Sequence, residues 1–112
     1  VKNLLLCLLL FVAFARVEAA ELLIFTASWC GPCQALKKDL AADPETLAGR
    51  EWGYVDFDNE KELAKSYDVT GVPTFLILED NKVVRRLVGY SGLEKLKKWL
   101  NGAAIRPTLL RR

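Results

Sequence analysis

Apolar positions follow different rules in different parts of this chain. From Leu4 to Ala15 they run unbroken. From Leu22 to Phe25 a much shorter run sits between polar neighbours, so Glu21 to Ala27 reads as a buried strand. Between Cys33 and Ala42 the pattern becomes helical. Ala35, Leu36 and Leu40 share an inner side, Lys37, Lys38 and Asp39 lie outside, and Asp43-Pro44 ends the run. Glu45 to Gly53 is a connection with room for one short helical turn. Trp52 to Phe57 sets Tyr54 and Asp56 against Val55 and Phe57, the alternation of a half-buried strand.

The second half repeats these forms. Asn59 and Glu62 have capping-box spacing and predict a helix with Leu63, Ala64 and Tyr67 toward the core. Asp68 to Pro73 is a loop. Thr74 to Leu78 and Val83 to Val88 are strands joined by the turn Glu79-Asp80-Asn81-Lys82, and Gly89 breaks the second strand. Ser91 and Glu94 form another capping box. The helix they start carries Leu93, Leu96 and Leu100 at helical spacing, runs through Asn101 and stops at Gly102. The order is β-α-β-α-β-β-α. A right-handed crossover makes the first two strands parallel, and the hairpin adds antiparallel ones.

The N-terminal run has a different origin. Lys2 and Asn3 precede it, and Val17-Glu18-Ala19 closes it with small residues. That sequence of features describes a secretory signal peptide over residues 1–19, or 1–20 if cleavage follows Ala20. The run falls short of the roughly 20 residues that span a bilayer as a helix. It shows neither alternation nor a polar face, which argues against a core element; an uncleaved membrane anchor is the other reading. Cys7 lacks the small residues expected before a lipidated cysteine. The expected location is periplasmic or extracellular, with membrane anchoring as the alternative. The domain is then 20–104, followed by a basic, solvated tail over 105–112.

Composition narrows the chemistry. The chain has 112 residues, enough for one domain. Sixteen basic and fourteen acidic residues give a net charge of +2, which makes no electrostatic case for nucleic acid. With no histidine, imidazole catalysis and a His-ligated metal are excluded. Cys30 and Cys33 could form half of a zinc site, but zinc needs two more ligands and Cys7 does not supply them. No metal and no cofactor are expected, and nothing in the sequence argues for oligomers, so a monomer is expected.

Trp29-Cys30-Gly31-Pro32-Cys33 lies between the first strand and the first helix. This places Cys30 at a helix N-terminus, where unpartnered N–H groups carry partial positive charge. That field favours thiolate, the reactive form. Gly31 allows close backbone approach, and Pro32 suits a first helical turn because its missing N–H costs nothing there. The competing reading is a structural staple, although a loop of two intervening residues restricts little of the unfolded chain.

With these elements in place the chain resembles the thioredoxins. The pentapeptide Trp29 to Cys33 matches their active-site motif, Gly71-Val72-Pro73-Thr74 matches their loop with a cis-proline, and Gly89 matches a glycine beside the active site. The resemblance covers about residues 21–102. It implies an α/β thioredoxin-like fold: a central four-stranded mixed sheet flanked by helices, lacking the usual N-terminal strand and helix. It implies Cys30 as nucleophile, Cys33 as resolving thiol and Trp29 as part of the contact surface. Val72, Pro73, Thr74 and Gly89 would face the cysteines and pair with an extended substrate.

The implied activity is thiol–disulfide exchange that reduces protein disulfides. The Gly31-Pro32 spacer resembles that of reductants, with potentials near about −270 mV. Implied partners are disulfide-containing proteins and an external thiol donor, which for an exported protein means a membrane thiol carrier. An exported oxidase or isomerase, and a binding module with incidental redox activity, are the alternatives. Four positions depart from the family pattern. Ile24 replaces a buried aspartate, Tyr54 a lysine, Thr26 an aromatic and Gln34 a basic residue. Without the acid at position 24, slower resolution or a proton path through water is expected.

Overall fold

The computed structural model describes residues 20–109; the segment read as a signal peptide, 1–19, lies outside the described residues. The elements are β1 (Glu21–Thr26), α1 (Gly31–Ala42), a 3-10 turn (Pro44–Leu47), β2 (Glu51–Asp56), α2 (Lys61–Ser66), β3 (Thr74–Glu79), β4 (Lys82–Val88) and α3 (Leu93–Leu109). They form one four-stranded sheet of order β2-β1-β3-β4. β1 is parallel to β2 and antiparallel to β3, and β3 is antiparallel to β4. This is the expected α/β thioredoxin-like architecture.

Burial explains the short apolar runs. β1 and β3 are the two inner strands, so side chains on both faces are covered and alternation disappears. On one face Leu22, Ile24, Phe75 and Ile77 pack against Leu36 and Leu40 of α1 and Leu96 and Leu100 of α3. On the other face Phe25, Leu76 and Leu78 pack with Ala64 and Val69. The edge strands β2 and β4 keep the alternation because one face of each meets solvent. Asp80 and Asn81 both take left-handed φ values, 56° and 63°, as a two-residue hairpin loop requires.

Two helix ends differ from the sequence reading. Asn59 does not cap α2. Its Nδ2 donates to Asp56 Oδ2 at 3.3 Å, and the helix starts at Lys61 behind Glu60, whose side chain makes no capping bond. Asp56 also accepts from the N–H groups of Asp58 and Asn59, so the carboxylate organises this loop.

Gly102 does not stop α3, which continues through Leu109 into the stretch read as a tail. A glycine weakens a helix interior by about 1 kcal/mol relative to alanine but does not block it. At Gly102 a Cβ would lie 3.2 Å from the Arg85 guanidinium, which itself stacks 5.1 Å above the Trp99 ring. The residue therefore marks a close approach between β4 and α3.

Candidate active site

Cys30 is the N-cap of α1. Its φ and ψ of −93° and 115° are extended, and Pro32 occupies the first turn. The backbone N–H of Cys33 donates to Cys30 Sγ at 3.1 Å, so one orphan donor of the helix end is spent on the sulfur. The Cys30 N–H donates to Ala27 O at 3.2 Å, which fixes the turn leaving β1. Cys30 and Cys33 are disulfide-bonded, with Cα atoms 5.2 Å apart. Cys30 is 4% exposed and Cys33 is fully buried. Gly31 and Pro32, between them, are exposed.

The loop before β3 closes over the sulfurs. The Val72–Pro73 peptide bond is cis. Cys30 Sγ lies 3.7 Å from the Val72 carbonyl oxygen, close enough for a reduced thiol to donate to it. Thr74 Oγ1 donates to Gly71 O at 2.7 Å, and the Gly89 N–H donates to Pro73 O at 2.8 Å. Thr74 thus braces the loop from within, and Gly89 ties it to the end of β4. Gly89 holds φ at +92°, a conformation that side-chain-bearing residues rarely adopt. The structure therefore brings Val72 to the Cys30 sulfur, and hydrogen bonds tie Pro73, Thr74 and Gly89 into the same loop and its anchor at the end of β4.

The surroundings of the pair are apolar. Ala27, Cys30 and Cys33 form a small cluster with Phe57 and Val72 packed on it. Ile24, fully buried, belongs to the core with Leu36 and Phe75, and no carboxylate stands at that position. Thr26 is buried as well, while Gln34 Nε2 donates to Ala27 O at 3.4 Å. Among the described residues no cluster of three or more His, Cys, Asp or Glu side chains could hold a metal ion.

Trp29 is 65% exposed on the rim. Its indole N–H donates to Asp58 Oδ2 at 2.7 Å. Asp58 had no signal in the sequence beyond following β2, because the partner that gives it meaning is 29 residues away. Tyr90, beside Gly89, is half-buried, and its hydroxyl donates to Asp39 Oδ2 at 2.5 Å. Its phenol is pushed up to about 12, first by lost hydration and then by the hydrogen bond and charge of Asp39.

The chain is similar to known proteins. The family model for Thioredoxin matches residues 12–102. A Thioredoxin H-type from Oryza sativa subsp. indica is 39% identical over 64% of this chain and 61% of its own length. Thioredoxin from Bacillus subtilis is 33% identical over 75% of this chain and 82% of its own. The chain spans only slightly over six-tenths of the plant relatives, 61%, 62% and 64%. Among solved structures, Fasciola hepatica thioredoxin superposes with a TM-score of 0.66 at 30% identity, covering 83% of this chain and 88% of that one. Thioredoxin NaTrxh from Nicotiana alata superposes with a TM-score of 0.67 at 27% identity, covering 85% and 82%. With the pentapeptide, the opposing cis-proline loop and a family match across most of its length, this chain belongs to the thioredoxin family.

Proposed function

We propose that the protein is an exported thiol–disulfide oxidoreductase that reduces disulfides in other proteins. The observation that carries this reading is the Cys33 N–H aimed at Cys30 Sγ from 3.1 Å, at the N-terminus of a helix. A donor held there stabilises negative charge on the sulfur before a substrate arrives.

In the reduced protein the Cys30 thiolate attacks one sulfur of a substrate disulfide. A Cys30–substrate bond forms, the substrate S–S bond breaks, and the other substrate sulfur leaves as a thiolate that takes a proton from water. Cys33, losing its proton, then attacks Cys30 Sγ. The Cys30–Cys33 bond forms and the second substrate thiolate leaves. Two electrons have passed from the dithiol to the substrate. With Ile24 where the family pattern has a buried carboxylate, the proton of Cys33 leaves through solvent or through the departing thiolate. The Val72 carbonyl beside Cys30 supports a substrate that lies extended along this loop. Trp29, exposed next to the sulfur, supplies apolar contact area.

The cycle needs a second dithiol to reduce the pair again. Export follows from Lys2, the run Leu4 to Ala15 and Val17-Glu18-Ala19, and it assigns the donor to a membrane thiol carrier.

The decisive experiment is a Cys33→Ser trap in the exported protein. Without the resolving thiol, mixed disulfides accumulate on Cys30 and mass spectrometry names the partners. Absence of any trapped protein, with the carrier intact, overturns the catalytic reading. A measured potential above about −200 mV reverses the direction and makes the protein an oxidase. N-terminal sequencing that finds Val1 intact overturns export.

A further inference from the structure

β2 is an edge strand, and among the described residues nothing pairs with its outer side. Such an edge offers unpaired N–H and C=O groups, and proteins blunt it with lysine, proline, a bulge or a covering segment. β2 has neither lysine nor proline in Glu51–Asp56. It displays Trp52 and Tyr54 instead, 38% and 40% exposed, with ring centroids 5.0 Å apart in an edge-to-face pair. Beside them opens a cavity of about 570 Å³ walled by Leu40, Ala41, Pro44 and Leu47, with Arg50 at its wall and Lys37 Nζ 5.1 Å above the Tyr54 ring.

We propose that this edge pairs with the same edge of a second copy of the chain, antiparallel, about a twofold axis through Gly53. A twofold axis normal to the sheet keeps each face on its own side. Trp52 and Tyr54 lie on the α1 face, lining the cavity with Leu40, whereas Val55 packs into the opposite core. An axis through Gly53 sets Trp52 against the partner's Tyr54, and Tyr54 against the partner's Trp52. It also sets Arg50 against the partner's Asp56, twice by symmetry. Aromatic and opposite-charge pairs are the favourable cross-strand combinations.

The neighbouring registers lose this match. An axis through Trp52 faces Arg50 with an aromatic ring, and one through Tyr54 faces Trp52 with a carboxylate. Asp56 already accepts from Asp58 and Asn59, and a carboxylate has room for about four such bonds. Gly53 on the axis suits a place where another backbone approaches closely. The two cavities, mostly apolar but each carrying Lys37 and Arg50, then face each other across the seam, and the four-stranded sheets join into one. This dimer rests on the export reading to the extent that residues 1–19, with Cys7, have been removed.

The test uses the mature protein recovered from a secreting host. Sedimentation at rising concentration is expected to show a dimer, and Arg50→Glu is expected to shift it to monomer with insulin-disulfide reduction unchanged. Cross-linking then reads the register in a background of Cys30→Ser and Cys33→Ser. Opposed residues of an antiparallel pair have Cα atoms about 4.5–5.5 Å apart, within the reach of a disulfide. A Cβ at Gly53 meets nothing within 4 Å, so Gly53→Cys is accommodated. Mild oxidation is expected to give a covalent dimer of Gly53→Cys and none of Glu51→Cys, which faces the partner's Val55.

A mature chain that stays monomeric into the millimolar range overturns the dimer, as does equal cross-linking of both variants. A monomer that still reduces insulin removes the dimer and leaves the redox reading standing. A dimer without reductase activity does the reverse, and a monomer that retains Val1 removes both the dimer and export.

Discussion

The indole N–H of Trp29 donates to Asp58 at 2.7 Å and so joins the turn before Cys30 to the loop after β2. Both residues are exposed, so water competes for the same groups. Asp58→Ala is expected to lower stability by only about 0.5 kcal/mol, the low end for a single hydrogen bond. Its larger effect is a raised KM for protein disulfides, because Trp29 loses its fixed orientation. Insulin-reduction kinetics and urea unfolding, run on Asp58→Ala, Trp29→Phe and the double variant, check this. Equal and additive losses would remove the coupling.

Placing a carboxyl at position 24, where the family pattern has one, is expected to trade stability for rate. Ile24 is fully buried in apolar surroundings. Ile24→Asp therefore loses packing and buries an unpaired polar group, a cost of about 2–5 kcal/mol in urea unfolding. The same carboxyl can accept the Cys33 proton. Single-turnover resolution of a Cys30 mixed disulfide is expected to be faster in Ile24→Asp than in Ile24→Asn, which has nearly the same shape but cannot titrate.

Alkaline unfolding reports on Tyr90. Its phenol titrates at about 12 in the folded protein, above the ordinary 10.0, so the folded state holds this proton more tightly. The stabilisation is complete below pH 10 and declines as pH rises from about 10 to 12. Tyr90→Phe is expected to flatten that part of the stability profile, measured by urea midpoint against pH. Asp39→Asn should flatten it less, because lost hydration is the larger cause and remains.

Gly89 is expected to be intolerant of a side chain. At φ +92° an alanine is strained, and the penalty for left-handed backbone is about 1–2 kcal/mol. Gly89→Ala also disturbs the 2.8 Å bond from its N–H to Pro73 O. The expected result is a lower melting temperature together with weaker substrate binding, whereas Gly49→Ala, also at positive φ (+77°) but away from the sulfurs, lowers stability alone.

The redox pair was legible because its determinants are local. Strand, turn, Pro32 and helix are contiguous, and a helix N-terminus follows directly from their order. The burial of β1 was legible for the same reason, since the unbroken run Leu22 to Phe25 has no polar face, whereas β3 was read only as one strand of a hairpin and its burial on both faces follows from its inner place in the sheet. What escaped depends on residues far apart in the chain. Asn59 has capping-box spacing, yet its amide goes to Asp56. Gly102 looks like a helix stop, but the helix runs on past it, and its neighbour is the Arg85 guanidinium, on a strand that the sequence does not place beside it. Asp58 gains its partner only once Trp29 has been carried around the end of β1.

The sulfur that caps α1 also links the oxidation state to folding. A thiolate is a stronger acceptor than a disulfide sulfur, so the bond from the Cys33 N–H favours the reduced form of the folded chain. By a thermodynamic cycle, whatever the fold adds to the reduced state it subtracts from the protein's power as a reductant, about 1.4 kcal/mol for each 30 mV. The helix end that makes Cys30 reactive therefore moderates the driving force of the reaction. Comparing the unfolding free energies of the two redox forms measures that moderation without a substrate.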